Sequence, residues 1–176
     1  MPSDNQVKHL DLTSNFVSVF PRELVSRLTH LEKLLFKRNS LLSLESGAFR
    51  GLSSLEVIDF HDNRIASLAD GAFEGLVGLK GLDLSLNVIS QLGSSAGLFD
   101  PMANLMVLNM SDNYISSLPG RGFGSLVKLS TLDLSNNTIV DVDNAFKGRI
   151  LSKSNLLRCT CPFCSILSYL LKFTYS

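Results

Sequence analysis

Leu79–Ile89, L-K-G-L-D-L-S-L-N-V-I, decides the architecture, because nearly the whole chain is a set of copies of it. With Leu79 counted as place 1, leucine returns at places 4 and 6 (Leu82, Leu84), asparagine stands at place 9 (Asn87) and an aliphatic at place 11 (Ile89). The alternation over places 4 to 6 is what a short strand needs to send two leucines to one side and Asp83 to the other. Asn87 then turns the chain. Its side chain carries a carbonyl acceptor and amide donors, so it can satisfy backbone groups stranded in a buried bend.

The same pattern spreads in both directions. It reads Val7, Leu10, Leu12, Asn15, Val17; then Leu31, Leu34, Phe36, Asn39, Leu41; then Leu55, Ile58, Phe60, Asn63, Ile65. After the central copy come Leu105, Leu108, Met110, Asn113, Ile115 and Leu129, Leu132, Leu134, Asn137, Ile139. Starts at 7, 31, 55, 79, 105 and 129 give steps of 24, 24, 24, 26 and 24. Six asparagines in register (Asn15, Asn39, Asn63, Asn87, Asn113, Asn137) predict a ladder. The back halves repeat as well: Phe20, Leu44, Leu68, Leu92, Leu118 and Val142 at place 14, with Phe49, Phe73 and Phe123 at place 19. Phe99 and Phe146 do the same job with small shifts, and Leu28, Leu52, Leu76, Met102, Leu126 and Ile150 follow.

A buried leucine or phenylalanine is worth roughly 1.5–3 kcal/mol, while ordering backbone costs roughly 1–2 kcal/mol per residue. One unit cannot offset its own ordering, so the units must stack. Strands stacked ~4.8 Å apart make a parallel sheet; the bulkier phenylalanine loops opposite bend the rod with its sheet inside the curve. The expected fold is an α/β solenoid of six repeats over residues 7–150, with a polar lead-in at 1–6. The glycine-containing pieces Gly47–Leu52 and Gly71–Leu76 read as tight turns or short helical loops on the outside.

At 176 residues the chain is one domain's worth. Acidic and basic residues number 16 each, so no net field favours nucleic acid or an anionic membrane. No run reaches the ~18–20 apolar residues of a membrane span. The most apolar tail segment, Ile166–Phe173, is too short and contains Lys172. The opening MPSDNQVKHLDL has no apolar run, so a soluble chain without its own export signal is expected.

This spacing is the leucine-rich-repeat signature. The 24-residue unit with a phenylalanine at place 19 resembles the typical repeats of extracellular proteins: Toll-like receptor ectodomains, lamprey variable lymphocyte receptors and Slit-like matrix proteins. LDLSLNVI (82–89) and LDLSNNTI (132–139) are most similar to Toll-like receptor repeats. Asn155-Leu-Leu-Arg-Cys159-Thr-Cys161, followed by Leu167 and Tyr169-Leu170, resembles the opening of that family's cysteine-rich C-terminal cap. Leu156 stands where the family has proline, and Tyr169 near where it has tryptophan. The family cap uses four cysteines in crossed disulfides. Here Cys159, Cys161 and Cys164 are the only three, so residues 151–176 are expected to be a truncated cap. The resemblance implies a fragment or short isoform of a longer receptor-like protein, placed outside the cell or in a membrane receptor's ectodomain.

Other motifs carry less. Three sulfurs without a nearby histidine leave tetrahedral zinc one ligand short, so no metal is expected. A Cys161–Cys164 bridge is sterically conceivable, and an odd count leaves a thiol free or paired between chains. Gly93-Ser-Ser95-Ala-Gly97 matches a serine nucleophile elbow in form only. It sits in the two-residue enlargement of repeat four, and His9, His30 and His61 belong to repeats one to three. Gly120–Gly124 reads as an outer turn, not a phosphate loop. Asn109-Met-Ser111 and Asn136-Asn-Thr138 are candidate glycosylation acceptors. No catalysis and no cofactor are expected.

Places 2, 3, 5, 7 and 8 form the concave face. Place 5 reads Asp11, Leu35, Asp59, Asp83, Asn109, Asp133, largely because Leu-Asp-Leu is what such repeats carry. Repeat two shows Glu32, Lys33, Lys37 and Arg38 beside Glu56, Asp59, His61 and Asp62 of repeat three. A basic strip next to an acidic one is what a polar protein partner reads, and Leu35, Val57, Leu86, Met106 and Val107 add apolar anchors. The candidate site is Lys33, Leu35, Lys37, Arg38, Glu56, Val57, Asp59, His61 and Asp83. The expected function is non-catalytic binding of a protein or other macromolecule, as in a pattern-recognition receptor of innate immunity, with receptor pairing through the flanks. A secreted or matrix adhesion protein is the alternative, and an esterase-like enzyme a distant third.

Overall fold

The computed structural model describes residues 6–93, 97–141 and 145, together with the backbone of 156–158. Its strands are short: β1 (His9–Asp11), β2 (Lys33–Leu35), β3 (Ser43–Leu44), β4 (Val57–Asp59), β5 (Ser67–Leu68), β6 (Gly81–Asp83), β7 (Val107–Asn109), β8 (Thr131–Asp133) and β9 (Leu156–Arg158). Seven of them form one sheet in the order β1-β2-β4-β6-β7-β8-β9, and β3 pairs with β5 in a second. Every neighbouring pair is parallel. Leu10, Leu34, Ile58, Leu82, Leu108 and Leu132, all at place 4, face one another across the ladder. The stack is therefore a solenoid that advances one strand per repeat. β9 extends the sheet by one strand that the six-repeat count did not include, pairing Leu157 with Leu132. The cap cysteines and Phe146 lie outside the described residues.

Each three-residue strand obeys the alternation of its sequence. In β2, β4, β6, β7 and β8 the middle residue is buried while the two flanking it reach the outer face. Inside, one continuous core joins all the turns, with Leu41, Phe60, Leu79 and Ile115 fully buried. Phe49, Phe73, Phe99 and Phe123 stack in line, with centroids 6.2, 6.0 and 5.5 Å apart and ring planes within 16°. Phe99 joins that stack although its repeat is two residues longer, so the extra length is absorbed before it. Among the described residues helix is reduced to α1 (Arg22–Val25) and a 3-10 turn at Asp100–Met102. The α half of the expected class is thus vestigial. At Gly75, with φ +94°, a Cβ would stand 2.9 Å from the Phe49 carbonyl oxygen, so the outer loop closes against its neighbour as a tight turn.

The asparagine ladder joins backbone to side chain between turns. The Asn63 Nδ2 donates to its own Phe60 carbonyl (3.0 Å) and to Phe36 O of the preceding turn (3.0 Å), while Oδ1 accepts Leu41 N–H at 3.1 Å. Asn87 repeats this with Leu84 O, Phe60 O and Ile65 N–H, and Asn113 with Met110 O, Leu84 O and Ile89 N–H. Asn39 and Asn137 make the same cross-turn bonds. Asn15 differs. It is exposed, and its amide donates to Thr13 O. The expected six-rung ladder therefore has five cross-turn rungs, because Asn15 reaches no preceding turn among the described residues.

Just before each asparagine the backbone enters the left-handed region. Ser14, Arg38, Asp62, Leu86, Asp112 and Asn136, all at place 8, have φ between 51° and 60°. From Ser14 to Asp112 this turn aims the place-8 N–H at the next turn's place-7 carbonyl, as in Leu86 N–H to Ser111 O at 3.1 Å. A non-glycine residue there costs roughly 1–2 kcal/mol, least for asparagine.

Asn63→Ala should lower stability by about 1–3 kcal/mol in urea unfolding, since it strands a buried N–H and two carbonyls. Asn15→Ala, removing an exposed amide, should stay within about 0.5 kcal/mol of the parent. Equal losses from the two would refute the cross-turn account. Leu86→Asn should raise stability by about 0.5–1 kcal/mol, because asparagine tolerates the left-handed backbone.

Candidate functional site

The outer face of the seven-stranded sheet is built from places 3 and 5 of successive turns. Place 3 carries His9, Lys33, Val57, Gly81, Val107 and Thr131; place 5 carries Asp11, Leu35, Asp59, Asp83, Asn109 and Asp133. Gly81 is the one residue without a side chain in this array. It stands in register between Val57 and Val107, and the gap it leaves is a shallow dent of about 270 Å³. Lys33, Leu35, Asp59, Asp83 and Asn109 complete its rim. A Cβ on Gly81 would touch only Val57 Cγ2, at 4.0 Å, so the dent is open and not a place where backbones collide. A wider hollow of about 620 Å³ lies beside α1, but one turn alone, Phe20 to Arg27, lines it.

The dent gathers five of the nine residues proposed from sequence: Lys33, Leu35, Val57, Asp59 and Asp83. Lys37, Arg38, Glu56 and His61 are not part of its lining. Lys37 and Arg38 follow β2, with Arg38 in the left-handed turn. Glu56 is committed to Lys80 at 2.7 Å, just as Glu32 is to Lys8 at 2.7 Å. That contact raises the Lys8 pKa and lowers that of Glu32, chiefly through the hydrogen bond between them, so both stay charged across the neutral range. The two pairs run along the place-2 edge and leave Lys33, Lys37 and Arg38 of repeat two, and Asp59 and Asp62 of repeat three, outside them. Both are exposed, where such pairs contribute little to stability.

The place-5 carboxylates are mainly structural. Each accepts the N–H two residues on: Thr13 N to Asp11 (2.9 Å), His61 N to Asp59 (3.0 Å), Ser85 N to Asp83 (2.8 Å) and Ser135 N to Asp133 (3.0 Å). Asn109 does the same for Ser111 N at 3.1 Å. This bond closes the turn that follows the strand. Asp83 is the most heavily engaged, since Ser85 Oγ also donates to its Oδ1 and Asn109 Nδ2 donates to its Oδ2 at 3.2 Å.

His61 Nδ1 lies 2.9 Å from Ser85 Oγ. With the serine hydrogen directed at Asp83, the imidazole must donate through Nδ1–H, leaving Nε2 as the free ring nitrogen. The order is the reverse of a serine nucleophile's, whose hydroxyl must give its proton to the imidazole. Ser85 is also 3 % exposed, so no substrate carbonyl can reach it. This trio orients side chains and does not activate them.

Of the sequons, Asn136 is exposed in the left-handed turn and donates to Asp112 at 2.8 Å, whereas Asn109 is half-buried on the sheet face. Ser95 and the three cysteines lie outside the described residues. Among the described residues no group of three or more acidic, histidine or cysteine side chains is placed to hold a metal, and no helix is long and apolar enough to cross a membrane.

A parallel solenoid with one short strand per turn, an asparagine rung and an outer sheet face is a repeat scaffold of the binding type. The leucine rich repeat family model matches it over residues 5–65, 53–98 and 95–139, and the chain belongs to that family. No curated protein matches the chain in sequence. Leucine-rich repeats generally mediate protein–protein binding and are typically non-catalytic.

Gly81 is the contributor that sequence reading passed over; Val107 had been read as an apolar anchor of the face but not placed in the nine-residue site. The signal of Gly81 was present as a missing side chain in an otherwise filled column, visible only once the columns are laid side by side. Gly81→Ala should leave stability, followed by thermal unfolding, equal or higher by up to about 1 kcal/mol, because a strand glycine is replaced without a clash. Gly78→Ala should be destabilising instead, since its Cβ would lie 2.6 Å from Ser53 O. A Gly81→Ala protein that unfolds earlier than the parent would show that the gap is needed for the fold.

Proposed function

We propose that the chain is a non-catalytic recognition module whose sheet face docks a protein or other macromolecular ligand, within an extracellular innate-immune receptor ectodomain of the Toll-like kind. The observation that carries the docking reading is the dent at Gly81. The repeat pattern needs a strand at this position but no particular side chain at place 3, so the gap is a feature of the face alone. Its apolar walls, Val57 and Val107, are both exposed, and charged groups ring them. An apolar centre inside a polar rim is the usual anatomy of a protein-binding patch. The Toll-like assignment rests on the repeat wording at 82–89 and 132–139, and the matrix-protein alternative shares that wording in part.

Surface plasmon resonance with the purified chain separates the readings. Microbial surface proteins, glycolipids and cell-wall glycans form one arm, collagens and laminin the other. We expect a microbial ligand whose binding falls at least tenfold in Gly81→Val, which fills the dent with the side chain found on both neighbouring strands. The flank variant Val140→Ser should bind normally. Binding confined to the matrix arm favours the adhesion protein. Binding that survives Gly81→Val rejects the sheet face as the site.

A further inference from the structure

We propose that the Gly81 dent takes a basic side chain, lysine or arginine, from a protein partner, with Asp59 as the anion that holds its charged head. This rests on the sheet-face reading above and specifies what enters. The two carboxylates at the dent are register partners on β4 and β6 but are not equivalent. Asp83 has both oxygens engaged, by Ser85 N, Ser85 Oγ and Asn109 Nδ2. Asp59 accepts one bond, from His61 N on Oδ1 at 3.0 Å, and its Oδ2 has no partner among the described residues. The dent thus offers a half-buried carboxylate oxygen with open acceptor capacity beside two valines and a bare strand backbone.

That combination selects for charge and for shape together. A long aliphatic stem covers Val57, Gly81 and Val107 while its cationic tip reaches Asp59; lysine and arginine are the side chains built this way. An acidic side chain would be repelled by Asp59 and Asp83. A purely aliphatic one would take the Asp59 carboxylate out of water with nothing to replace its hydration. Lys33, on the neighbouring strand β2, is solvent-exposed, where a single charge is screened and contributes little. The half-buried carboxylate therefore sets the preference.

The test begins with a phage library of random peptides selected on the wild-type chain and counter-selected on Gly81→Val. Recovered sequences are made as synthetic peptides for isothermal titration. The expected binder carries a lysine or arginine whose replacement by norleucine raises Kd at least tenfold on wild type. On Asp59→Asn the lysine and norleucine peptides should bind alike. Asparagine preserves the turn there, as Asn109 shows by accepting Ser111 N at 3.1 Å in the same role. Circular dichroism of Asp59→Asn matching wild type confirms that the loss is not unfolding. Peptides that distinguish wild type from Gly81→Val yet carry an acidic or aliphatic residue instead overturn this inference and leave the sheet-face reading standing. A lysine preference that persists in Asp59→Asn overturns it as well. A library from which counter-selection on Gly81→Val removes every wild-type binder overturns the sheet-face reading itself.

Discussion

The fold depends on one recurring exchange: an asparagine side chain from each turn inserted into the backbone of the turn before it. A strand of three residues, such as Gly81–Asp83, cannot define a register by its own ladder, and the chain must reverse immediately after it. The reversal strands carbonyls and N–H groups inside an apolar stack, where each unpaired group costs roughly 1–3 kcal/mol. A single primary amide resolves this, because it donates and accepts at once. Asn87 meets Leu84 O, Phe60 O and Ile65 N–H with one side chain. Aspartate would lack the donors, and glutamine would be one methylene too long for the same bend.

This arrangement also explains why the sheet face is variable while the interior is not. Places 4, 6, 9 and 11 have partners on adjacent turns, so each is constrained by its neighbours above and below. Place 8 is constrained differently: its left-handed backbone aims an N–H at the next turn, and the chain tolerates even Leu86 there at φ 51°. Place 5 is half constrained, since one carboxylate oxygen closes the turn and the other is free to be used or left. Place 3 carries no such duty. The departures that matter for recognition therefore collect at places 3 and 5, where glycine at 81 and an under-used carboxylate at 59 fall on adjacent strands.

The interior was legible from sequence almost residue by residue, because each turn constrains its neighbours and six copies repeat the same solution. Phe99 illustrates how far this goes: it is displaced by two residues in the sequence yet stacks on Phe73 and Phe123. At Asn15 the pattern holds in sequence, while among the described residues its amide bonds only to Thr13 O of its own turn. A repeat pattern says which residue is a rung but not which partners the rung meets. On the face, charges were read as a basic strip beside an acidic one, and the ion pairs of Glu32 and Glu56 were not foreseen. Glu32 and Glu56 are satisfied along the place-2 edge by Lys8 and Lys80, partners exactly one turn-length of 24 residues away in sequence. A single repeat hides such pairs; alignment of the columns exposes them.

Column reasoning can be carried one step further. In a stacked solenoid every face residue has its neighbours at a fixed ~4.8 Å spacing, so a like-charged column such as Asp59 over Asp83 builds repulsion that the protein must discharge. It does so unevenly. Asp83 is hydrogen-bonded by three neutral donors, whereas Asp59 receives one. The unused acceptor capacity is therefore concentrated at one carboxylate beside one gap. In the proposed reading, recognition comes from local irregularity in a regular lattice, with the lattice supplying rigidity so that little ordering entropy is lost on docking.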